Sequence, residues 1–442
     1  MESVLLYIVG VLIIVIGLAL SIGLHEIGHL VPAKKFGVKV GQYMIGFGPT
    51  LWSRRRGETE YGVKAIPLGG YISMAGMYPP EKGRKSARTS STGFFNALVQ
   101  DARTASAESA VDTDEQRLFY RLPIWKRIII MLGGPAMNLL IAVVLYAVLL
   151  MGFGLQTPST TLGSVSECVI PAGSTATSCS ADDRLAPGAE AGLRPGDRVV
   201  SIAGEPIDDW SELSATIRQH AGETVPFDIV RDGREQTLSV TPLLTERYVY
   251  TKDGQIEMDA AGRPVTEEVG FVGVGPAYER VQQPATAVLP AVGDNLSAVV
   301  NIVLHLPQRM VEVAQAAFGT EARDPNGPIS VVGVGRIAGE IASVDTAPIV
   351  DRAAGLVGLV AALNVALFVF NLIPLMPLDG GHVAGALWEG LRRWFARVFG
   401  RPDPGPVDTA RLVPITLGVV AVLGVMSALL IYADIVKPVS IL

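Results

Sequence analysis

Cysteine is nearly missing from this chain: Cys168 and Cys179 are the only two in 442 residues. No C-x-x-C pair exists to hold a metal through thiolates. The two stand after the second apolar run, where a disulfide and two free thiols are both open readings, the disulfide requiring an oxidising compartment. Charge is also scarce, at 18% of residues, and the net −6 is spread along the chain without a basic stripe to follow a phosphate backbone, which excludes nucleic acid as a partner. The N-terminus lacks a basic leader and a small-x-small cleavage site, so its apolar run is expected to be retained as a helix. What is abundant is apolar: 49% of residues, with a mean hydropathy of +0.39. That balance points to a lipid-embedded body carrying aqueous parts.

Four runs are long and apolar enough to span a bilayer, at about Val4 to Leu30, Ile128 to Phe153, Gly355 to Pro374 and Leu412 to Tyr432. Lys34, Lys35, Lys39 and Arg54 to Arg56 follow the first, Lys126 and Arg127 precede the second, and Arg392, Arg393, Arg397, Arg401 and Arg411 lie between the last two. Basic loops stay in the cytoplasm, so both termini and the segment from Gly154 to Asp351 are expected outside. The domain reading is therefore a first span at 1–33, membrane-associated β-hairpins at 34–78, a flexible cytoplasmic insert at 79–117, and an amphipathic lead-in with the second span at 118–155. An outer domain at 156–276 with an extra hairpin, tipped at Lys252 to Gln255, is followed by amphipathic helices at 277–352. A third span at 353–381, a cytoplasmic loop at 382–409 and a fourth span with its tail at 410–442 complete the chain. Within the outer domain, Ala186-Pro187-Gly188 through Asp197-Arg198-Val199-Val200-Ser201-Ile202 resembles the signature of a bacterial PDZ domain, a fold that commonly offers a groove to an extended peptide.

The chemistry concentrates at the ends of two spans. His25 and His29, four apart on a helix, present two imidazoles to one side with Glu26 between them, the H-E-x-x-H arrangement of a zinc hydrolase. The chain has only five histidines, and an idle ionisable cluster at the end of a span is costly. If the first and third spans both run inward, Asp379 of Leu378-Asp379-Gly380-Gly381 reaches the same depth. Two imidazoles and a carboxylate fill three of zinc's four positions, leaving one for water. Zn2+ polarises the scissile carbonyl while Glu26 moves the proton, which makes the reaction peptide-bond hydrolysis. His382 is an alternative ligand, and Asp379 could instead serve only a turn. Asn364 and Asn371 share a helix face and could hold a substrate backbone or bond helix to helix. Gly69 and Gly70 belong to a sheet whose edge could pair with an extended substrate.

Together, His25-Glu26-x-x-His29, Gly46-Phe47-Gly48-Pro49, Ile66-Pro67-Leu68-Gly69-Gly70-Tyr71, Gly134-Pro135 with Asn138, the single PDZ-like stretch, and Asn371-x-x-Pro374 with Leu378-Asp379-Gly380-Gly381 resemble the site-2 protease family of intramembrane zinc metalloproteases. Within it they look most like the bacterial branch represented by the regulator of sigma E protease, which has two PDZ domains where this chain has one. The resemblance implies a polytopic α-helical membrane protein with four transmembrane helices, a membrane-associated β-sheet and an extracytoplasmic PDZ domain, in the bacterial cytoplasmic membrane. It implies zinc on His25, His29 and Asp379, Glu26 as general base, and substrate alignment by Asn371 and the sheet. It also implies cleavage of pre-trimmed single-span proteins, anti-sigma factors above all, in regulated intramembrane proteolysis. The competing readings are a catalytically silent membrane scaffold whose PDZ domain binds peptides, and a metal transporter. The spans lack the further acidic and histidine residues that an ion relay needs.

Overall fold

The computed structural model describes residues 2–77, 79, 114–170, 178–180, 183–249, 256–259, 263–320, 323–407 and 412–439. Apart from residues 79 and 114–117, the expected insert at 79–117 lies outside the described residues, as does the hairpin tip at Lys252 to Gln255. The chain divides into two units, Met1–Phe153 with Gln283–Leu442, and Gly154–Gln282.

The first unit is built on helix α1 (Glu2–Lys35), whose last turn carries Lys34 and Lys35, cations that complement the negative end of the helix dipole. Strands β1 (Val40–Arg56) and β2 (Thr59–Met74) follow. They fold back on themselves: residues 42–45 pair with Ser73, Ile72, Tyr71 and Gly70 on one side and with Glu60, Tyr61, Gly62 and Val63 on the other. The 70–73 stretch is thus an edge, and no other described strand pairs with it. The Tyr43 hydroxyl donates to the Gly23 carbonyl at 2.7 Å, fastening this sheet to α1.

Helix α2 (Ile124–Ala147) continues through a π turn at Val148–Phe153. It meets α1 backbone to backbone, since a Cβ on Gly28 or on Gly133 would collide with the other glycine's carbonyl. After the second unit come α4 (Val288–Leu304), α5 (Leu306–Phe318), α6 (Val331–Ser343), α7 (Ile349–Asn371), α8 (Asp379–Val398) and α9 (Val413–Val436). Ser330 starts α6 by accepting from the Val332 and Gly333 amides, an ordinary N-cap. The N-terminal half of α1 packs on α6 through Ile14, Val334, Ala338 and Ala342. Gly17 touches Val360 of α7, and four residues further along both helices Ser21 accepts from Asn364. Contacts that advance together in this way mean that α1 and α7 run in the same direction.

Five described helices are long and apolar enough to cross a membrane: Glu2–Lys35, Ile124–Phe153, Ala285–Leu304, Ile349–Asn371 and Val413–Val436. The chain is a multi-pass membrane protein. The sequence reading expected four spans; the addition is the stretch containing α4, whose hydropathy of 1.6 is the lowest of the five. A second difference concerns 382–409, expected as a loop. Most of it is helix, because Leu387, Trp388, Leu391, Trp394 and Phe395 follow a helical period that charge counting overlooks.

The second unit has a six-stranded sheet: β10 (Val274–Val281), β3 (Leu155–Val165), β4 (Arg198–Ile202), β6 (Val225–Arg231) and β7 (Arg234–Val240) in that order, with β5 (Glu205–Pro206) beside β4. Helix α3 (Trp210–Gln219) is capped by Asp209, whose carboxylate accepts from the Glu212 amide. Its Leu213 and Ile217 join Leu162, Val199, Ile202, Phe227 and Ile229 in one core. Strands β8 (Leu243–Tyr248) and β9 (Thr266–Phe271) form a separate pair. Cys168 and Cys179 form a disulfide with their Cα atoms 5.9 Å apart, which resolves the two readings left open by spacing.

Asp197, 1% exposed, takes a two-pronged grip from Arg231, with Nε to Oδ1 and Nη2 to Oδ2 both at 2.7 Å, and accepts the Arg194 amide. Burial pushes its carboxyl up, but the Arg231 guanidinium and the Arg194 amide outweigh that and hold it below the usual aspartate range. Its contribution to stability is therefore full at neutral pH and is lost as pH falls through the lowered folded value. Asp197→Asn is expected to cost the second unit about 2–3 kcal/mol at neutral pH. The gap between variant and wild type should begin to narrow below about pH 4 and close only as pH passes the lowered folded value, as read by thermal unfolding across pH.

Candidate metal centre

His25 and His29 are successive inward residues of α1, both buried, and their Nε2 atoms face each other at 3.2 Å. Asp379 opens α8, where a carboxylate is favoured by the helix dipole. Its Oδ2 stands 3.3 Å from His25 Nε2 and its Oδ1 3.3 Å from His29 Nε2. Among the described residues this is the one cluster of histidine, cysteine and carboxylate side chains able to share an ion.

The donor set fits zinc. Zn–N bonds of about 2.0–2.1 Å at tetrahedral angles place neighbouring ligand atoms roughly 3.3 Å apart, which is the spacing found here. Asp379 Oδ2 is moreover buried without a hydrogen-bond donor, as expected of an oxygen meant for a cation. Nothing larger than a hydrogen fits at Gly134, where a Cβ would stand 2.7 Å from His25 Nε2 and collide with His29.

Both imidazoles are steered from α2. His29 Nδ1 donates to the Ile130 carbonyl at 2.7 Å, leaving Nε2 bare for a metal. Asn138, fully buried, faces His25 Nδ1 with its side-chain amide at 3.1 Å, and its Oδ1 has no partner. An Nδ1 that accepts from the amide would leave the ring proton on Nε2, where a metal must bind. The reversed amide, with Oδ1 accepting from Nδ1–H, leaves Nε2 free, so a metal at His25 selects that orientation. The middle of α8 is fixed to the same helix: Arg127 of α2 donates to Glu389 at 2.6 Å, and Glu389, 1% exposed, also holds Arg393 and the Val407 amide.

A cavity of about 290 Å³ opens on this cluster, lined by His25, Glu26, His29, Asp379 and His382 together with Asn371, the last residue of α7, and Gly70, Tyr71 and Ile72 of the sheet edge. Glu26, Asn371 and Gly70 thus line the same cavity as the histidines. Gly69 does not line the cavity; its missing side chain makes room for the Phe47 ring. Asn364 is also elsewhere. It is fully buried and donates to Ser21 Oγ and to the Val360 carbonyl, both at 2.9 Å, which makes it a tie between α7 and α1. His382 lines the cavity but lies outside the three-ligand cluster. Asn138 entered the sequence reading only as part of a motif, with no role at the histidines, and the Ile130 carbonyl did not enter it at all. The faint signal for Asn138 was a lone amide in an apolar run, four residues after Gly134.

A family model described as peptidase family M50 matches residues 13–399. The chain is 32% identical to the zinc metalloprotease Rip1 of Mycobacterium tuberculosis over 99% of this chain and 100% of that protein. It is 32% identical to Rip1 of Mycolicibacterium smegmatis over 98% of each. With the metalloprotease MmpA of Caulobacter vibrioides it shares 28% identity over 87% of this chain and 88% of the relative.

Asn138→Leu is expected to weaken zinc binding about 10–100-fold, whereas Asn138→Asp, which can only accept at that position, should keep it; competition with a chromogenic chelator reads both. Asn364→Ala should cost about 1 kcal/mol of membrane-domain stability and leave zinc affinity and KM for a single-span reporter unchanged.

Proposed function

The chain belongs to peptidase family M50, the site-2 proteases, and is a zinc metalloendopeptidase; from that premise we propose that it hydrolyses peptide bonds within or near the transmembrane segments of single-span proteins. The observation that carries the reading is a three-donor cluster of zinc spacing, opening on a cavity bordered by an unpaired strand edge.

In this reading His25, His29 and Asp379 hold the zinc. Bound zinc supplies Lewis acidity, polarising the scissile carbonyl and lowering the pKa of water. Glu26, next to His25 but outside the ligand cluster, takes the proton of the attacking water and passes it to the leaving amide nitrogen. A helical substrate must first be drawn out, because a peptide bond inside a helix is wrapped by its own backbone. The edge at Gly70 to Ser73 offers free backbone groups to an extended chain, and Asn371 at the cavity wall offers an amide to the same chain. Gly70 suits the edge because it leaves Glu26 Cγ at close contact, 3.1 Å from where a Cβ would be.

Topology follows from the parallel course of α1 and α7. Between α2 and α7 the number of crossings must be even, and α5 and α6, with 13 residues each, reach only about 20 Å. That is too short for a hydrocarbon core of about 30 Å. The stretch containing α4 then has no returning partner, which supports four spans. The Cys168–Cys179 disulfide supports an oxidising surrounding for the second unit. We therefore place that unit and both termini outside a bacterial cytoplasmic membrane. We read the second unit as a PDZ domain that binds an extracytoplasmic peptide, and a pre-cleaved anti-sigma factor as the substrate class. The silent-scaffold reading gives way to the enzyme.

Glu26→Gln is expected to retain stoichiometric zinc and lower turnover of a single-span reporter about 10²–10⁴-fold. Asp379→Ala should lose zinc together with activity. Full turnover by the Glu26 variant, measured beside its metal content, would overturn the mechanism.

A further inference from the structure

Helix α8 has two faces. One carries Asp379 and His382 at the cavity and the buried Ala386 and Glu389 against the body. At 100° per residue, the opposite side is a continuous stripe of Leu387, Trp388, Leu391, Trp394, Phe395 and Val398. Every one of these is exposed, from 44% at Leu391 to 58% at Val398. Arg392 borders the stripe, and Arg397 and Arg401 stand at its C-terminal end; none of the three has an ion-pair partner among the described residues, unlike Arg393, which is bound to Glu389.

The position of this helix says what covers the stripe. Only residues 372–378 separate it from the end of α7, and Arg127–Glu389 pins it to the first turns of α2. That same end of the bundle carries Phe36 stacked edge-on against Trp125, with Lys126 over both rings. Aromatic and basic residues gathered at one end of spanning helices mark the headgroup level. An amphipathic helix at that level, with tryptophans in its apolar face and unpaired arginines at the border, matches a bilayer surface of negative charge. A soluble partner would leave the free arginines and the adjoining span ends without a common explanation.

We propose that the outer face of α8 is a docking surface for anionic lipid headgroups, with the stripe sunk into the acyl boundary beneath them. The inference rests on the bilayer placement of α7 and is independent of which residues bind zinc. One consequence is that the depth of the Asp379 end of α8 is set by lipid contact as well as by protein packing.

The test uses the full zinc-loaded chain in vesicles of brominated phosphatidylcholine, with or without brominated phosphatidylglycerol. Quenching of Trp388 and Trp394 fluorescence by the lipid bromines is read as the difference between the wild type and a Trp388→Phe/Trp394→Phe variant. This component should be larger when phosphatidylglycerol is present. Each arginine contributes about a fivefold preference for the charged surface, so Arg392→Gln/Arg397→Gln/Arg401→Gln should bring it down to the phosphatidylcholine value. Equal charge removal at Arg54, Arg55 and Arg56 should leave it unchanged. Retained zinc certifies that each variant is folded. Quenching that ignores lipid charge, or that survives the triple substitution, overturns the proposal. So does the absence of any lipid-dependent component, the result expected if a second copy or another protein covers the stripe.

Discussion

Two imidazoles and a carboxylate packed within 4.8 Å of one another at the end of apolar helices form an arrangement that is costly in a membrane unless its charges are compensated and put to use. Much of the first unit can be understood as serving that arrangement. α1 brings the histidines, α7 delivers the chain to Asp379, and α2 passes between them with a backbone carbonyl for one ring and an amide for the other. The glycine contact at Gly28 and Gly133 brings α2 close enough to do so. A side chain in that gap would separate the helices and move Ile130 and Asn138 out of reach of the rings.

Parts of the site that were legible in the sequence are those whose chemistry is written in adjacent letters. His25, Glu26 and His29 repeat with the helical period, and Asp379 stands where a span stops, so a metal reading needed only topology. Asn138 was harder because a single amide in a span has the same appearance whether it steers a ligand or joins two helices. Asn364 shows the converse: its seven-residue spacing from Asn371 suggested a shared task, yet the structure gives one to the cavity and the other to Ser21. Sharing a helix face does not decide how far along that face the site extends.

The larger differences in architecture have related causes. Counting charge made 382–409 look like a loop, while the arrangement of its aromatic residues makes it the helix α8. α4 is apolar enough to be counted among the spans, although its neighbours α5 and α6 are too short to undo a crossing. In the second unit the turn at Asp232-Gly233 and the helix beginning at Trp210 are features of adjacent residues. The Arg231 grip on Asp197 was not, since it joins residues 34 apart through a contact that only the folded sheet creates.

The separation of the site's two halves along the chain also sets a clock. His29 leaves the ribosome 350 residues ahead of Asp379. At 5–20 residues per second that interval is roughly 20–70 s. Throughout it the nascent protein has two of its three proposed ligands and lacks the Glu389 that anchors α8 to Arg127. A protease whose centre closes only when its last third is inserted cannot cut its neighbours in the translocon during synthesis.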